Sequence, residues 1–176
     1  MAIILDTNCF ANVFSKNTAK HEEYKPVLDW VVKGKGLFVY GGTQYIEELR
    51  TCAKYLPLFR ELRLVGKVLV LDKEKVDQRQ EVIAEQIPDD EFDDKHLSAI
   101  VIESKCKLIC SDDKRSIKYV TNPALYPKGI TKPKYYTGSK NAKMLCDKNI
   151  DKSLKPLCKL NKASRARVIG VIEKRS

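Results

Sequence analysis

Short apolar runs alternate with longer amphipathic segments along the first two thirds of the chain. The runs are rich in β-branched residues and bounded by charged or turn residues, which is typical of buried strands. They are AIIL at 2–5, GLFVYG at 36–41, VLVL at 68–71 and KLIC at 107–110. Segments with helical periodicity cover roughly 9–33, 43–65, 73–87 and 94–105. Because parallel strands need crossover connections, this alternation predicts an α/β fold with a mostly parallel sheet flanked by helices.

The last third of the chain is less regular. A short helix is predicted after Asp113, ending at about Val120. The segment 121–138 is rich in proline and glycine, but KPKYYTG at 132–138 can add a last strand at the sheet edge, for about five strands in all. Periodicity is weak from 139 onward, with RARVIGVIEK at 165–174 as one further short element. We therefore predict one globular domain over 1–138 and a basic extension over 139–176.

Positive charge is concentrated in that extension and the residues just before it. The whole chain has a formal net charge of +10. Residues 1–127 carry 19 Lys and Arg against 20 Asp and Glu, whereas residues 128–176 carry 14 against 3. A basic segment attracts phosphate backbones through counterion release, so RNA or DNA is the expected partner. The alternative is a solvated basic tail without a specific ligand.

The composition argues against several classes of protein. Hydrophobic residues make up 43% of the chain and charged residues 32%, the balance of a globular domain. No apolar run approaches the roughly 18 to 20 residues of a membrane span, and no signal peptide is recognisable, so no membrane partner is expected. The six cysteines are scattered without a CxxC pair, which indicates reduced thiols in a cytoplasmic protein. No glycine-rich loop follows a strand, which excludes a P-loop or dinucleotide site.

Acidic residues gather where the predicted strands end. In parallel α/β sheets, ligands bind outside the carboxyl ends of the strands, so carboxylates at those positions are candidates for a site. Each of them can also be explained as a helix cap or turn residue. Four segments nevertheless bring acids to the same end of one sheet, and separate caps have no reason to coincide there. The acids are Asp6, Glu47, Glu48, Asp89, Asp90, Asp93, Asp94, Asp112 and Asp113.

Clustered carboxylates predict a divalent metal. Several negative charges in one crevice repel each other strongly unless cations neutralise them, and hard oxygen ligands select Mg²⁺ or Mn²⁺. Such an ion lowers the pKa of a bound water and stabilises a leaving oxygen. Hydrolysis of phosphodiester bonds is the chemistry that fits both the acidic cluster and the basic extension.

The arrangement resembles the PIN domain family of nucleases, which includes the toxins of many bacterial toxin–antitoxin pairs. The resemblance spans about residues 1–120 and rests on four motifs in the family's order: ILDTN at 4–8, YIEELR at 45–50, DKHLSA at 94–99 and LICSDDK at 108–114. It implies a metal-dependent endoribonuclease with three or four carboxylates and a sheet of about five parallel strands. It also implies an antitoxin protein and a homodimer as possible partners.

Two of the four acids can be assigned by position. On the helix after the second strand, Glu48 borders the apolar face at about 100° per residue, while Glu47 lies nearly opposite. We therefore expect Asp6 and Glu48 to bind the metal. The helical wheel does not separate Asp90, Asp93 and Asp94, and only the family's spacing selects Asp94.

The fourth acid is either Asp112 or Asp113. Counting from the third motif favours Asp112, whereas the pattern of a small residue, any residue, Asp and Lys favours Asp113, which we prefer. Thr7, Asn8 and Ser111 are candidates for orienting the acids or a water, or for satisfying turn backbone. His21 and His96 are not required as general bases if a metal-bound hydroxide is the nucleophile.

A non-catalytic role is the main alternative. In that interpretation the chain is a PIN-like RNA-binding module whose basic extension recruits RNA, and the carboxylates are relics or bind a structural metal. The intact set of acids favours the nuclease.

Overall fold

The chain forms one parallel sheet. The structure is a computed structural model that describes residues 2–146, 154 and 158–174. Its strands are β1 (Ala2–Leu5), β2 (Leu37–Tyr40), β3 (Val68–Val70), β4 (Leu108–Cys110) and β5 (Lys134–Tyr136). They pair in the order β3-β2-β1-β4-β5, and each pairing is parallel. The predicted α/β fold with about five strands is therefore confirmed, including the edge strand in KPKYYTG.

The central strand is β1, whose four residues are all buried. Ile3 pairs with Phe38 of β2, and Ile4 pairs with Ile109 of β4. Burial on both faces explains why AIIL is a continuous apolar run. The chain first builds outward from β1 to β2 and β3, and then returns to the other side of β1 with β4. The carboxyl ends of β1 and β4 therefore meet at the switch point of the sheet, where α/β proteins place their ligands.

Helices connect and flank the strands. The α-helices of the described chain are α1 (Phe10–Phe14), α2 (His21–Lys33), α3 (Thr43–Thr51), α4 (Leu56–Leu64), α5 (Lys73–Gln86), α6 (Lys95–Ser104), α7 (Lys114–Val120) and α8 (Lys162–Glu173). Short 3-10 helices lie at Thr7–Cys9, Ala53–Tyr55, Pro123–Leu125 and Ser139–Met144. Helix α6 packs on β1 and β2 and against α5.

Two segments that were each predicted as one helix are divided into two helices in the structure. The segment predicted at 9–33 divides into α1 and α2, because Ser15 ends α1 in extended backbone. The Ser15 hydroxyl then accepts a hydrogen bond from Asn17 N, and the Ser15 carbonyl accepts one from Thr18 Oγ1. These local bonds take the place of bonds that a continuing helix would form. The segment predicted at 43–65 divides at Cys52 into α3 and α4. Pro57 occupies the first turn of α4, where its missing N–H costs nothing.

An aromatic cluster fills part of the core beside β2. Phe10, Phe14 and Phe38 meet Phe59 of α4, with ring centroids 5.0 to 6.2 Å apart. Neighbouring apolar residues of this helical region, Tyr55, Leu58 and Leu62, are also buried. These side chains stabilise the fold from within and are not available for an exposed interface.

The described part of the basic extension packs on the domain. Helix α8 contacts α4 and α2, and buries Val168 and Ile172. Arg167 forms an ion pair with Glu61 at 2.9 Å. The buried ammonium of Lys67 donates a hydrogen bond to the carbonyl of residue 158 at 2.8 Å. Parts of the predicted extension, at 147–153, 155–157 and 175–176, lie outside the described residues. Among the described helices, none is long and apolar enough to cross a membrane.

Candidate active site

Asp6 lies at the switch point, directly after β1, and only 5% of its surface is exposed. Ser111 Oγ and Asn8 Nδ2 donate hydrogen bonds to its Oδ2 at 2.7 and 2.9 Å. The backbone N of Asn8 donates to Oδ1 at 3.2 Å. The pKa of Asp6 is raised to about 6, chiefly because burial penalises the charged form. The negative charges of Glu48 and Asp113 raise it as well, and the hydrogen bonds lower it.

Glu48 projects from α3 toward Asp6, whereas its neighbour Glu47 is exposed to solvent. Thr7 Oγ1 donates to Glu48 Oε2 at 2.9 Å, and Gln44 Nε2 donates to Oε1 at 3.2 Å. These bonds join the turn after β1 to the first turns of α3. The structure thus places Glu48, and not Glu47, beside the acid at the switch point, as the helical geometry predicted.

Asp94 is the N-cap residue of α6 and is partly buried, while Asp90 and Asp93 are exposed. Its side chain accepts no capping bond. The pKa of Asp94 is raised to about 7, first by burial and then by the charges of Asp6 and Asp93. Burial therefore separates Asp94 from its neighbours, a distinction that the helical wheel did not make.

Asp113 and Asp112 point in different directions. Asp113 caps α7 by accepting a bond from Arg115 N at 2.8 Å, and its carboxylate is also bound by the Arg115 guanidinium at 3.1 Å. These hydrogen bonds hold the pKa of Asp113 below its usual value. Asp112 instead accepts bonds from Lys20 Nζ and from Tyr24 Oη. Of the two, Asp113 is the one whose charge raises the pKa values of the other acids.

The structure brings four of the predicted acids into one electrostatic group, which we call the carboxylate group: Asp6, Glu48, Asp94 and Asp113. Each comes from a different segment of the chain. In the described residues, however, no three His, Cys, Asp or Glu side chains are arranged so that they could hold a metal ion as they stand. Three of the four carboxylates are hydrogen-bonded within the protein, Asp6 to Ser111 and Asn8, Glu48 to Thr7, and Asp113 to Arg115.

Two features of the carboxylate group were not predicted from the sequence, a buried histidine beside Glu48 and a cation on Asp113. His96 is buried, and its Nε2 lies 3.6 Å from Glu48 Oε1. Neither ring nitrogen of His96 has a hydrogen-bond partner among the residues that the structure describes. Burial lowers the pKa of His96, against the opposing effect of the charges of Glu48 and Asp93. The second feature is the Arg115 cation on Asp113. Its position two residues after Asp113 was the available signal, because side chains at that spacing can meet at a helix N-terminus.

Comparison with the models of known protein families and with curated proteins returned no match for this sequence.

Proposed function

We propose that this protein is a metal-dependent endoribonuclease that hydrolyses RNA phosphodiester bonds at the carboxylate group. One observation carries the proposal. Acids from four segments meet at the switch point of a parallel sheet, and the pKa values of Asp6 and Asp94 are raised to about 6 and about 7. A structural cap has no need of such mutual repulsion, whereas a cation site commonly contains it. The motifs shared with PIN nucleases support the same proposal.

The chemistry of the donors fits Mg²⁺ or Mn²⁺, since all four are carboxylates. Asp6, Glu48, Asp94 and Asp113 would hold the ion. A bound ion of this kind supplies an activated water and charge stabilisation at phosphate oxygens. Asp94 has the raised pKa of a group whose negative charge lacks compensation from the protein. Glu48 and Asp113 would have to turn from Thr7 and Arg115 toward the ion.

The protein's own groups then have separate tasks. Ser111 and Asn8 fix both oxygens of Asp6 and favour its charged form. Thr7 holds Glu48 Oε2 in the metal-free protein. Arg115 lies at the rim, 83% exposed, where a guanidinium can bind a phosphate oxygen of the substrate.

Cleavage of labelled single-stranded RNA tests the proposal. We expect wild-type protein to cleave it with Mg²⁺ or Mn²⁺ and not with EDTA. Asp6→Asn and Glu48→Gln should each reduce the rate by about 100-fold or more, because each removes a charged ligand. Glu47→Gln is the matched control, since this exposed neighbour on α3 faces away from the group, and it should retain the wild-type rate.

Three results would contradict the proposal in different ways. Absence of cleavage by the wild type with either metal would leave a PIN-like RNA-binding module as the better description. Equal cleavage by wild type, Asp6→Asn and Glu48→Gln would show a nuclease whose site lies elsewhere. Loss of activity in Glu47→Gln to the same extent as in Glu48→Gln would remove the geometric basis of the assignment.

A further inference from the structure

A cleft with several lysines lies beside the carboxylate group, on the other side of the loop that follows β4. Its volume is about 430 Å³, which is within the range of ligand-binding sites. We call it the lysine cleft. The residues that matter for its chemistry are Lys20, Tyr24, Asp112, Lys114, Lys140 and Asn141.

The negative groups that line the lysine cleft are already engaged. Asp112 accepts bonds from Lys20 and from Tyr24 Oη, the latter at 3.1 Å. Glu23 accepts two bonds from Ser139, at 2.8 Å from its N and 2.6 Å from its Oγ. Asp112 is paired with Lys20, and Glu23 stays a charged neighbour of Lys140. Three lysines and two acids line the cleft, which leaves one positive charge in excess.

The other polar side chains that line the lysine cleft offer hydrogen-bond donors. Lys114 and Lys140 are both exposed, and Lys140 also interacts electrostatically with Glu23. Asn141 uses its Oδ1 to accept bonds from Thr137 N and Oγ1, at 3.1 and 2.9 Å, which leaves its Nδ2 hydrogens as donors. Two ammonium groups and an amide suit an anion with several acceptor oxygens, such as a phosphate.

One short loop separates this cleft from the carboxylate group. Asp112 faces the lysine cleft and the next residue, Asp113, faces the carboxylate group, while their Cα atoms are about 3.8 Å apart. Lys114 follows directly. An anion in the lysine cleft and a phosphodiester at the carboxylate group can therefore belong to one strand. Lys140 belongs to the basic segment 128–176. Its position in the cleft gives part of that segment a role, because it brings one of the segment's positive charges to the edge of the site.

We propose that the lysine cleft binds a backbone phosphate of a single RNA strand, next to the phosphate that is cleaved at the carboxylate group. This inference rests on the proposed nuclease function for the identity of the strand. The cleft sets the register of the substrate, and Lys114 and Lys140 bind the phosphate. These lysines contact the RNA backbone, so the contact is independent of base sequence.

Binding of a fluorescein-labelled single-stranded RNA of about a dozen nucleotides, a length that covers a typical single-strand site, tests this proposal. Anisotropy is measured in EDTA, so that the RNA stays intact, with full-length wild type and the Lys114→Ala/Lys140→Ala double variant. Each phosphate contact contributes about 0.7 to the slope of log affinity against log salt for single strands. Because both lysines bind one phosphate, the double variant should lower the slope by about 0.7 and weaken binding about 5-fold at roughly 0.1 M salt.

The matched control is Lys35→Ala/Lys107→Ala. Both lysines are exposed and precede β2 and β4, at the opposite edge of the sheet. The control removes the same charge and should keep the wild-type affinity and slope. If both double variants unfold at the midpoint temperature of the wild type, a loss of RNA binding is not caused by a loss of folding. Equal affinity of wild type and cleft variant, equal weakening by the control, or no RNA binding by the wild type would each overturn the proposal.

Cleavage with Mg²⁺ separates this proposal from the proposed function. RNA binding that depends on the cleft lysines, without cleavage by the wild type, would support the cleft and contradict the nuclease. Cleavage with the same KM by wild type and cleft variant would support the nuclease and contradict the cleft. The expected result is a KM raised about 5-fold in the cleft variant, in line with its loss of affinity.

Discussion

Replacing Asp6 by asparagine should make the metal-free protein more stable, relative to the wild type, at alkaline pH than at acid pH, although it should abolish activity. The pKa of Asp6 is about 6 in the folded protein against an ordinary value of 3.8. Between these two values the folded state binds more protons than the unfolded state, so wild-type stability falls as pH rises through this window. The difference of about 2 pKa units corresponds to about 3 kcal/mol, because one unit is 1.36 kcal/mol.

Asparagine has the shape of the protonated acid and carries no charge at any pH. Its amide nitrogen cannot accept one of the bonds that Asn8 and Ser111 donate to Asp6, a loss that is the same at every pH. The free energy of unfolding of Asp6→Asn relative to that of the wild type should therefore be larger at pH 8 than at pH 4 by up to about 3 kcal/mol. Urea unfolding in EDTA at both pH values, followed by the fluorescence of the single tryptophan, Trp30, measures the two differences.

The exposed acid Asp90 supplies the control for this measurement. Asp90→Asn removes the same charge from a residue outside the carboxylate group, and should leave stability at pH 8 and pH 4 unchanged within error. An Asp6→Asn variant that is less stable relative to the wild type at pH 8 than at pH 4, or that differs from it equally at both pH values, would refute the reasoning. The carboxylate of Asp6 would then be a stabilising cap and not a repelled member of a site.

Three further predictions concern the same site and the extension. At ten times its Kd, Mg²⁺ should raise the unfolding free energy of the wild type by about 1.4 kcal/mol; an equal shift of the thermal midpoint in Asp6→Asn would contradict binding at the carboxylate group. Ser111→Ala should raise the pKa of Asp6 further, because a hydrogen bond to its charged form is lost. The acid limb of the pH–rate profile should therefore move to higher pH. An unchanged acid limb would contradict a role of Ser111 in setting the pKa of Asp6. Ile172→Ala in α8 should lower the free energy of unfolding in urea by about 2 kcal/mol, since the side chain is buried. Ile169 is more exposed, so Ile169→Ala should lower it less. Equal stability of Ile172→Ala and wild type would mean that α8 does not pack on the domain in solution.

His96 shows how the site differs from a set of isolated acids. The buried ring of His96 lies 3.6 Å from Glu48 Oε1 and occupies space that water would otherwise fill on that side of the carboxylate group. Water is then a weaker competitor for the charges of the group, which makes both repulsion and cation binding stronger. The sequence interpretation set His96 aside because no general base was needed, but its burial gives it a part in the surroundings of the acids.

Local patterns in the sequence were sufficient for the strands and for the location of the acids. AIIL is apolar throughout because β1 is buried on both faces, and Asp6 ends this run because the strand reaches the edge of the sheet there. Glu48 could also be selected, because the apolar face of its own helix defines which way a neighbouring residue points. In each case the signal lies within a few residues of the element that it describes.

The choice among Asp90, Asp93 and Asp94, the direction of Asp112 and Asp113, and the position of the extension were decided only by the tertiary structure. Asp113 joins the carboxylate group while Asp112 is drawn away by Lys20 and Tyr24, which lie about 90 residues earlier in the chain. The bond from Ser111 to Asp6 spans 105 residues. Contacts over such separations depend on how whole elements pack, and local periodicity carries no record of them. The sequence therefore determined which residue types reach the carboxyl edge of the sheet, and packing decided which of them meet.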